Sequence, residues 1–175
     1  MADMAFVTPE NQTVGRALLV LYMNTGTKEA PAWSPVGKRV EDSSMELDWQ
    51  RESKKDILDN TYSTLKDPII TQSFDPWELA NGDAAQLAVW NKAIRDHDAQ
   101  ALANVDMLVV HLYAGAKEAA FAERYESSAV EVTGLGGAGG GNIGMPITVT
   151  FGGTRTTGTA KVAAGVVTFT PDAAV

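Results

Sequence analysis

Four groups of residues have types or spacing that could do chemistry. Residues 134–139, GLGGAG, match G-x-G-x-x-G and follow a strand-like run. A dinucleotide fingerprint needs a preceding strand, a helix whose N-terminus receives the pyrophosphate, and an acid about 20 residues on for the ribose. Here Met145-Pro146 and then Ile-Thr-Val-Thr-Phe follow, an alternating strand and no helix. No Gly-Lys-Ser/Thr completes a P-loop either. Residues 134–144 therefore read as a glycine-rich hairpin connection, whose glycines permit positive φ and free movement.

Carboxylates gather at Glu41, Asp42, Glu46, Asp48 and Glu52. Two carboxylates can run glycoside hydrolysis, but a sugar site carries aromatics on the same face, and Trp49 points away from Glu46 and Asp48. A calcium loop needs oxygen ligands at turn spacing around a glycine, and this is an alternating strand. What is left is a solvated strand face or an acidic face repeated by oligomerisation. Of the histidines, His97 sits between Asp96 and Asp98 at a helix end and is expected to cap it. His111 lies in an apolar strand and is expected to be a satisfied core histidine. Nothing resembles a nucleophile elbow. The tryptophans Trp33, Trp49, Trp77 and Trp90 lack the interleaved basic residues of a base-stacking surface, and three of them fit core or interface packing. The expectation is a protein with no catalytic residues, no metal and no cofactor.

The elements that place these residues follow from periodicity. Residues 1–15 are mixed and polar and read as a flexible arm. Residues 16–23 are a short apolar run that suits a buried strand. At 45–50, Met45, Leu47 and Trp49 alternate with Glu46, Asp48 and Gln50, which predicts a half-buried strand with one acidic face. Residues 51–61 read as an exposed charged loop. Residues 62–74 resume extended character, with Pro68 confined to an edge or a bulge. One helix is predicted, with Asp83 as its N-cap and Ala84, Leu87, Trp90 and Ile94 as its apolar stripe, so that Leu87, Trp90 and Ile94 form its core face. Strands follow at 105–113, 118–126, around Val130 and Val132, and at 147–151, 154–161 and 166–170, with turns at Gly152-Gly153 and Ala164-Gly165. This pattern predicts a mainly β chain, an antiparallel sandwich or barrel with one packed α-helix, as a single domain over 16–175.

Composition sets the bounds. With 175 residues, 45% hydrophobic and 21% charged, the chain can bury a real core. It has no cysteine, which excludes disulfides, thiolate metal sites and a cysteine nucleophile. No stretch approaches the roughly 20 apolar residues of a membrane span, and the expectation is a soluble cytoplasmic protein without membrane contact. The net charge of −8 argues against ordinary phosphate-backbone binding. It does not argue against working near DNA, since a surface that DNA must slide past would be acidic. The same charge fits equally a role of simply keeping the chain soluble.

Residues 36–79 carry a resemblance. They hold a Val36-Gly37 step, the acidic alternating strand 45–50, a charged break at 56–61 and the aromatic-Asp-Pro step Phe74-Asp75-Pro76. A single helix over 83–98, the strand 147–151, Gly152-Gly153 and Thr157-Gly158-Thr159 follow in order. Over roughly residues 14–160 this order resembles the major tail tube proteins of tailed phages, of the siphophage type. The resemblance implies a non-enzymatic virion protein that forms hexameric rings stacked into a hollow tube. Such a tube assembles in the bacterial host cytoplasm around a tape-measure protein. Its further partners are tail terminator and baseplate or distal tail proteins, and genomic DNA makes transient contact in its lumen. On this analogy Glu46, Asp48, Glu41, Asp42 and Glu52 face the lumen. Lys54, Lys55, Asp56, Asp59, Gly139 and Gly140 become inter-ring contact candidates on loops that order on assembly. Two other functions fit the same residues. One is a monomeric β-sandwich binding or adhesion module, favoured by the Gly/Thr texture of GGTRTTGTAKVAAGVVTFTP. The other is a small hydrolase using the carboxylates of 41–52.

Overall fold

The computed structural model describes residues 4–116 and 118–173. The first three residues of the expected arm and the last two of the expected domain therefore lie outside the described residues. The strands are β1 (Leu19–Asn24), β2 (Trp33–Pro35), β3 (Met45–Asp48), β4 (Glu52–Lys55), β5 (Thr61–Thr64) and β6 (Ile69–Phe74). After the helical segment come β7 (Val105–Ala116), β8 (Ala119–Val132), β9 (Ile147–Thr150), β10 (Arg155–Ala163) and β11 (Val166–Pro171). Every pairing is antiparallel, in the order β2-β1-β7-β8-β9-β6-β3, with β10 on β8 and β11 on β10. The mainly β antiparallel class is the one the alternation predicts.

The long strand β8 divides its two ends between different neighbours. Residues 120–125 pair with β10, and residues 129–132 pair with β9. The separate strands expected at 118–126 and around Val130 are thus one continuous element. β1 and β7 are buried on both faces, so they read as near-continuous apolar runs rather than as alternation. Val105, Met107 and Val109 enter the main core with Leu21, Met23, Trp77 and Val149. Leu108 and Val110 enter a second core on the other face with Tyr22, Trp33, Ala160 and Val167. There the β10–β11 hairpin supplies the cover. Within the arm, Phe6 bridges to Ala114, the Val7 N–H donates to the Tyr113 carbonyl, and the Phe6 ring meets Tyr113 edge-on.

The helix α1 (Ala84–Trp90) begins where expected. The Asp83 carboxylate accepts from the backbone N–H groups of Ala85 and Gln86 at 3.1 and 3.2 Å. Its buried face differs from the expected one. Ala85, Gln86 and Val89 are buried, Leu87 is 60% exposed, and Trp90 and Ile94 are only half-buried. Gln86 is the reason. It reads as an outward polar residue, but its amide is turned inward to accept from the Ala80 N–H at 2.8 Å and donate to the Glu78 carbonyl at 2.7 Å. Satisfied this way it can be buried, and the core face rotates toward it and away from Leu87. A π-helical turn at Asn91–Arg95 and a second short helix α2 (Ala99–Leu102) then take the chain to β7. His97 sits between them at φ 51°, in the left-handed region.

Two other expectations need correction. β3 is not half-buried. Only Met45 packs against the core, while Leu47 and Trp49 are each 48% exposed, because β3 is the last strand of the sheet and overhangs the core. Residues 51–61 are not simply a loop. Their first part is β4, which pairs with β5 from Glu52↔Thr64 to Lys55↔Thr61. Ser and Lys have low strand propensity, so cross-strand pairing decides this segment, not composition. Between Asp48↔Ile69 and Glu52↔Thr64, three residues face four. The additional residue lies in the segment 65–68, which contains Pro68 and belongs to no strand.

Candidate functional site

The glycine run closes a hairpin between β8 and β9. Gly136 and Gly144 exchange backbone hydrogen bonds at 3.0 and 2.7 Å, and a strand follows. A Cβ on Gly144 would stand 2.8 Å from the Pro76 carbonyl oxygen, so glycine is there for a close backbone approach and not for a phosphate. Gly139 and Gly140 form the open turn at the tip.

The five carboxylates do not form one cluster. Glu41 and Asp42 lie in the loop before β3, beside Arg39, Asp75 and Glu78. Glu52 is on β4 and pairs with Lys66 at 2.6 Å. Glu46 and Asp48 remain together on the outward face of β3, opposite Met45. Directly opposed residues of antiparallel strands share a face. Glu46 therefore continues a row through Thr71 and Thr150 to Ala129, and a neighbouring row runs Ser73–Thr148–Glu131. This outer face presents hydroxyls and three acids, Glu46, Asp48 and Glu131. None of the four strand segments that build it, MELD, IITQSF, ITVT and AVEV, contains lysine or arginine. Glu131 was not singled out from sequence, although the alternation of 129–132 puts it on the face opposite Val130. Among the described residues no group of three or more His, Asp or Glu could hold a metal ion.

The β4–β5 hairpin stands apart from that sheet and, among the described residues, pairs with no other strand. All eight of its strand residues are exposed. Its turn is built on Asp56, which accepts from the Leu58 and Asn60 N–H groups, the Asn60 side chain and the Tyr62 hydroxyl. Those bonds, from Asn60 above all, hold the Asp56 carboxyl below the ordinary carboxylate range. Lys55 pairs with Asp59 at 2.7 Å, and Ser53 meets Ser63 at 2.9 Å. The inter-ring candidates Lys54, Lys55, Asp56 and Asp59 thus sit on one element, while Gly139 and Gly140 belong to another. The tip carries Ile57, fully exposed, and Leu58, 77% exposed, with Tyr62 and Leu65 also exposed. An isolated two-stranded hairpin is marginal in water, and exposed ion pairs add little.

A polar network lies inside the fold beside the arm. His111 meets Glu123 at 3.0 Å through Nε2 and the Tyr113 hydroxyl at 2.8 Å through Nδ1. Arg155 donates through Nε to the other Glu123 oxygen at 2.7 Å. Burial pushes the Glu123 carboxyl up, but the hydrogen bonds from His111 and Arg155 outweigh it and hold Glu123 below its usual range. His111 is satisfied, as expected, by a carboxylate that spacing alone does not reveal. A depressed carboxyl contributes stability that is present above the unfolded value near 4.5 and lost as pH falls through the folded one. Wild-type protein should therefore lose stability on acidification below that value, and Glu123→Gln should flatten the loss. Thermal melts from pH 5 to pH 2.5 check this, and parallel curves for the two proteins would contradict it.

No protein-family model matches the chain, and neither does any curated protein. Among solved structures, the chain is similar to one in the sheath–tube complex of an extracellular contractile injection system, PVC, in its extended state. The identity is 7%, over 85% of this chain and 93% of that one, with a TM-score of 0.47. It is also similar to the tube-terminating cap of the anti-feeding prophage, at 14% identity over 87% of this chain and 95% of that one, with a TM-score of 0.49.

Proposed function

We propose that this chain is a structural, self-assembling subunit that closes into hexameric rings and stacks into a hollow tail-like tube. The projecting β4–β5 hairpin with its apolar tip carries the reading, because such an element gains a stable environment only by docking on a neighbour. Two further features support it. The main sheet has open edges at β2, β3 and β11, which a protein that stays monomeric must protect and which ring neighbours would cover. The outer face of β3, β6, β9 and the end of β8 is acidic and hydroxyl-rich, suited to a lumen wall that repels phosphates and does not hold them. The ring number, the tape-measure, terminator and baseplate partners, and DNA as cargo come from the resemblance of residues 36–79 to tail tube proteins.

Sedimentation velocity over a concentration series tests the reading. Discrete large species that grow with concentration are expected, and a single monomer species up to millimolar protein would count against it. The lumen assignment has its own test. Lysine at positions 46, 48 and 131 together should leave assembly intact, because these side chains face away from the core. The assembled variant should retain double-stranded DNA at low salt and release it as salt rises, whereas wild-type assemblies retain none. Equal DNA retention by the two would place these acids elsewhere.

A further inference from the structure

The face of α1 that the core leaves uncovered borders a groove of about 600 Å³, lined chiefly by Leu79, Ala80, Ala84, Leu87 and Trp90. Leu87 forms its exposed lip. Among the described residues, the only charged one lining it is Asp83, which is 4% exposed. One Asp83 oxygen caps the helix, and the other has no hydrogen-bond partner among the described residues. The groove is thus an apolar recess with one unpartnered carboxylate oxygen beneath it.

The same chain carries the complement. Ile57 and Leu58 are the most exposed large apolar side chains among the described residues. On β4 of the same hairpin, opposite Tyr62, stands Lys54, which has no ion-pair partner among the described residues, since Lys55 and Lys66 take Asp59 and Glu52. A projection with two aliphatic side chains and a free cation matches a recess with an aliphatic wall and a buried anion. We propose that the β4–β5 tip of one copy docks in the α1 groove of a second copy, a contact that rests on the self-assembly reading above. Tip and groove are different surfaces, so the contact is heterologous and propagates from copy to copy without pairing off. It also accounts for Leu87, an apolar helix residue that is 60% exposed and belongs to neither core cluster of the described residues.

The absence of cysteine makes the test direct. The double variant Leu58→Cys with Leu87→Cys, assembled and oxidised, should give a ladder of covalent multimers on non-reducing gels. A mixture of the two single variants should stop at covalent heterodimers. Leu87→Asp, a change at an exposed position, should fold normally and need about tenfold or more higher concentration to assemble. Assemblies that form but give no ladder, or that cross-link mainly through Leu58→Cys alone, would overturn the groove as the receptor and leave self-assembly standing. Normal assembly of Leu87→Asp would do the same. Failure of the wild type to assemble, together with no ladder, would overturn both.

Discussion

Replacing Ile57 and Leu58 together with aspartate is expected to leave the protein folded and to remove its assembly. Both side chains are exposed in the single chain, so the change removes little burial within it. Surface substitutions of this kind stay within about 0.5 kcal/mol, which for a chain of this size is a melting shift of roughly 2 °C or less. The assembled state is different. Burying two aliphatic side chains is worth about 1.5–3 kcal/mol each, and the variant would place two carboxylates in the same contact. The association constant per contact should fall by roughly 100- to 10,000-fold. Sedimentation velocity beside a thermal melt checks both halves. Unchanged assembly would show that the hairpin is not the interface, and a large melting shift would show that its tip packs within the chain.

The second large effect is expected at Asp106. This buried carboxylate on β7 receives the Arg124 guanidinium through Nε at 3.0 Å and Nη2 at 2.7 Å, and the Asn24 amide at 3.1 Å. The Arg124 guanidinium also stands 5.8 Å from the Trp33 ring centroid, at the margin of the second core. Asp106→Ala removes one partner and leaves a largely buried cation without its acceptor, while the Asn24 amide keeps only the Thr27 carbonyl. Breaking such a pair costs about 3 kcal/mol or more, which corresponds to a fall in melting temperature of roughly 6–12 °C. Asp106→Leu with Arg124→Met removes both charges and should recover much of that loss. Calorimetry of the three proteins checks this. A melting temperature for Asp106→Ala within about 2 °C of wild type would show that the pair contributes little.

The two predictions mark where the sequence can be read and where it cannot. Features set by neighbours in the chain are legible. Asp83 caps α1, Ile147–Thr150 alternates, and the glycine run leads to a strand and not to a helix. Features set by distant residues are not. Asp106 looks like an interruption in an apolar run, and its partner lies 18 positions away on the next strand. Glu123 meets Arg155 across 32 positions. Leu87 looks like a core residue because its spacing from Trp90 and Ile94 is helical, but Gln86 takes the inward position through two backbone hydrogen bonds that no periodicity encodes. The β4 segment looks like a loop because charged residues are poor strand formers, and only its register with β5 makes it a strand. On the acidic face, Glu46 and Asp48 are visible as alternation, while Glu131 joins them only through the β8–β9–β6–β3 order.

Negative-stain electron microscopy of the purified wild-type protein, imaged across a concentration series, tests the central claim most directly. Six-fold rings with a central channel, stacking into tubes as concentration rises, are expected. Compact monomers at every concentration, with no ring and no stack, would contradict it.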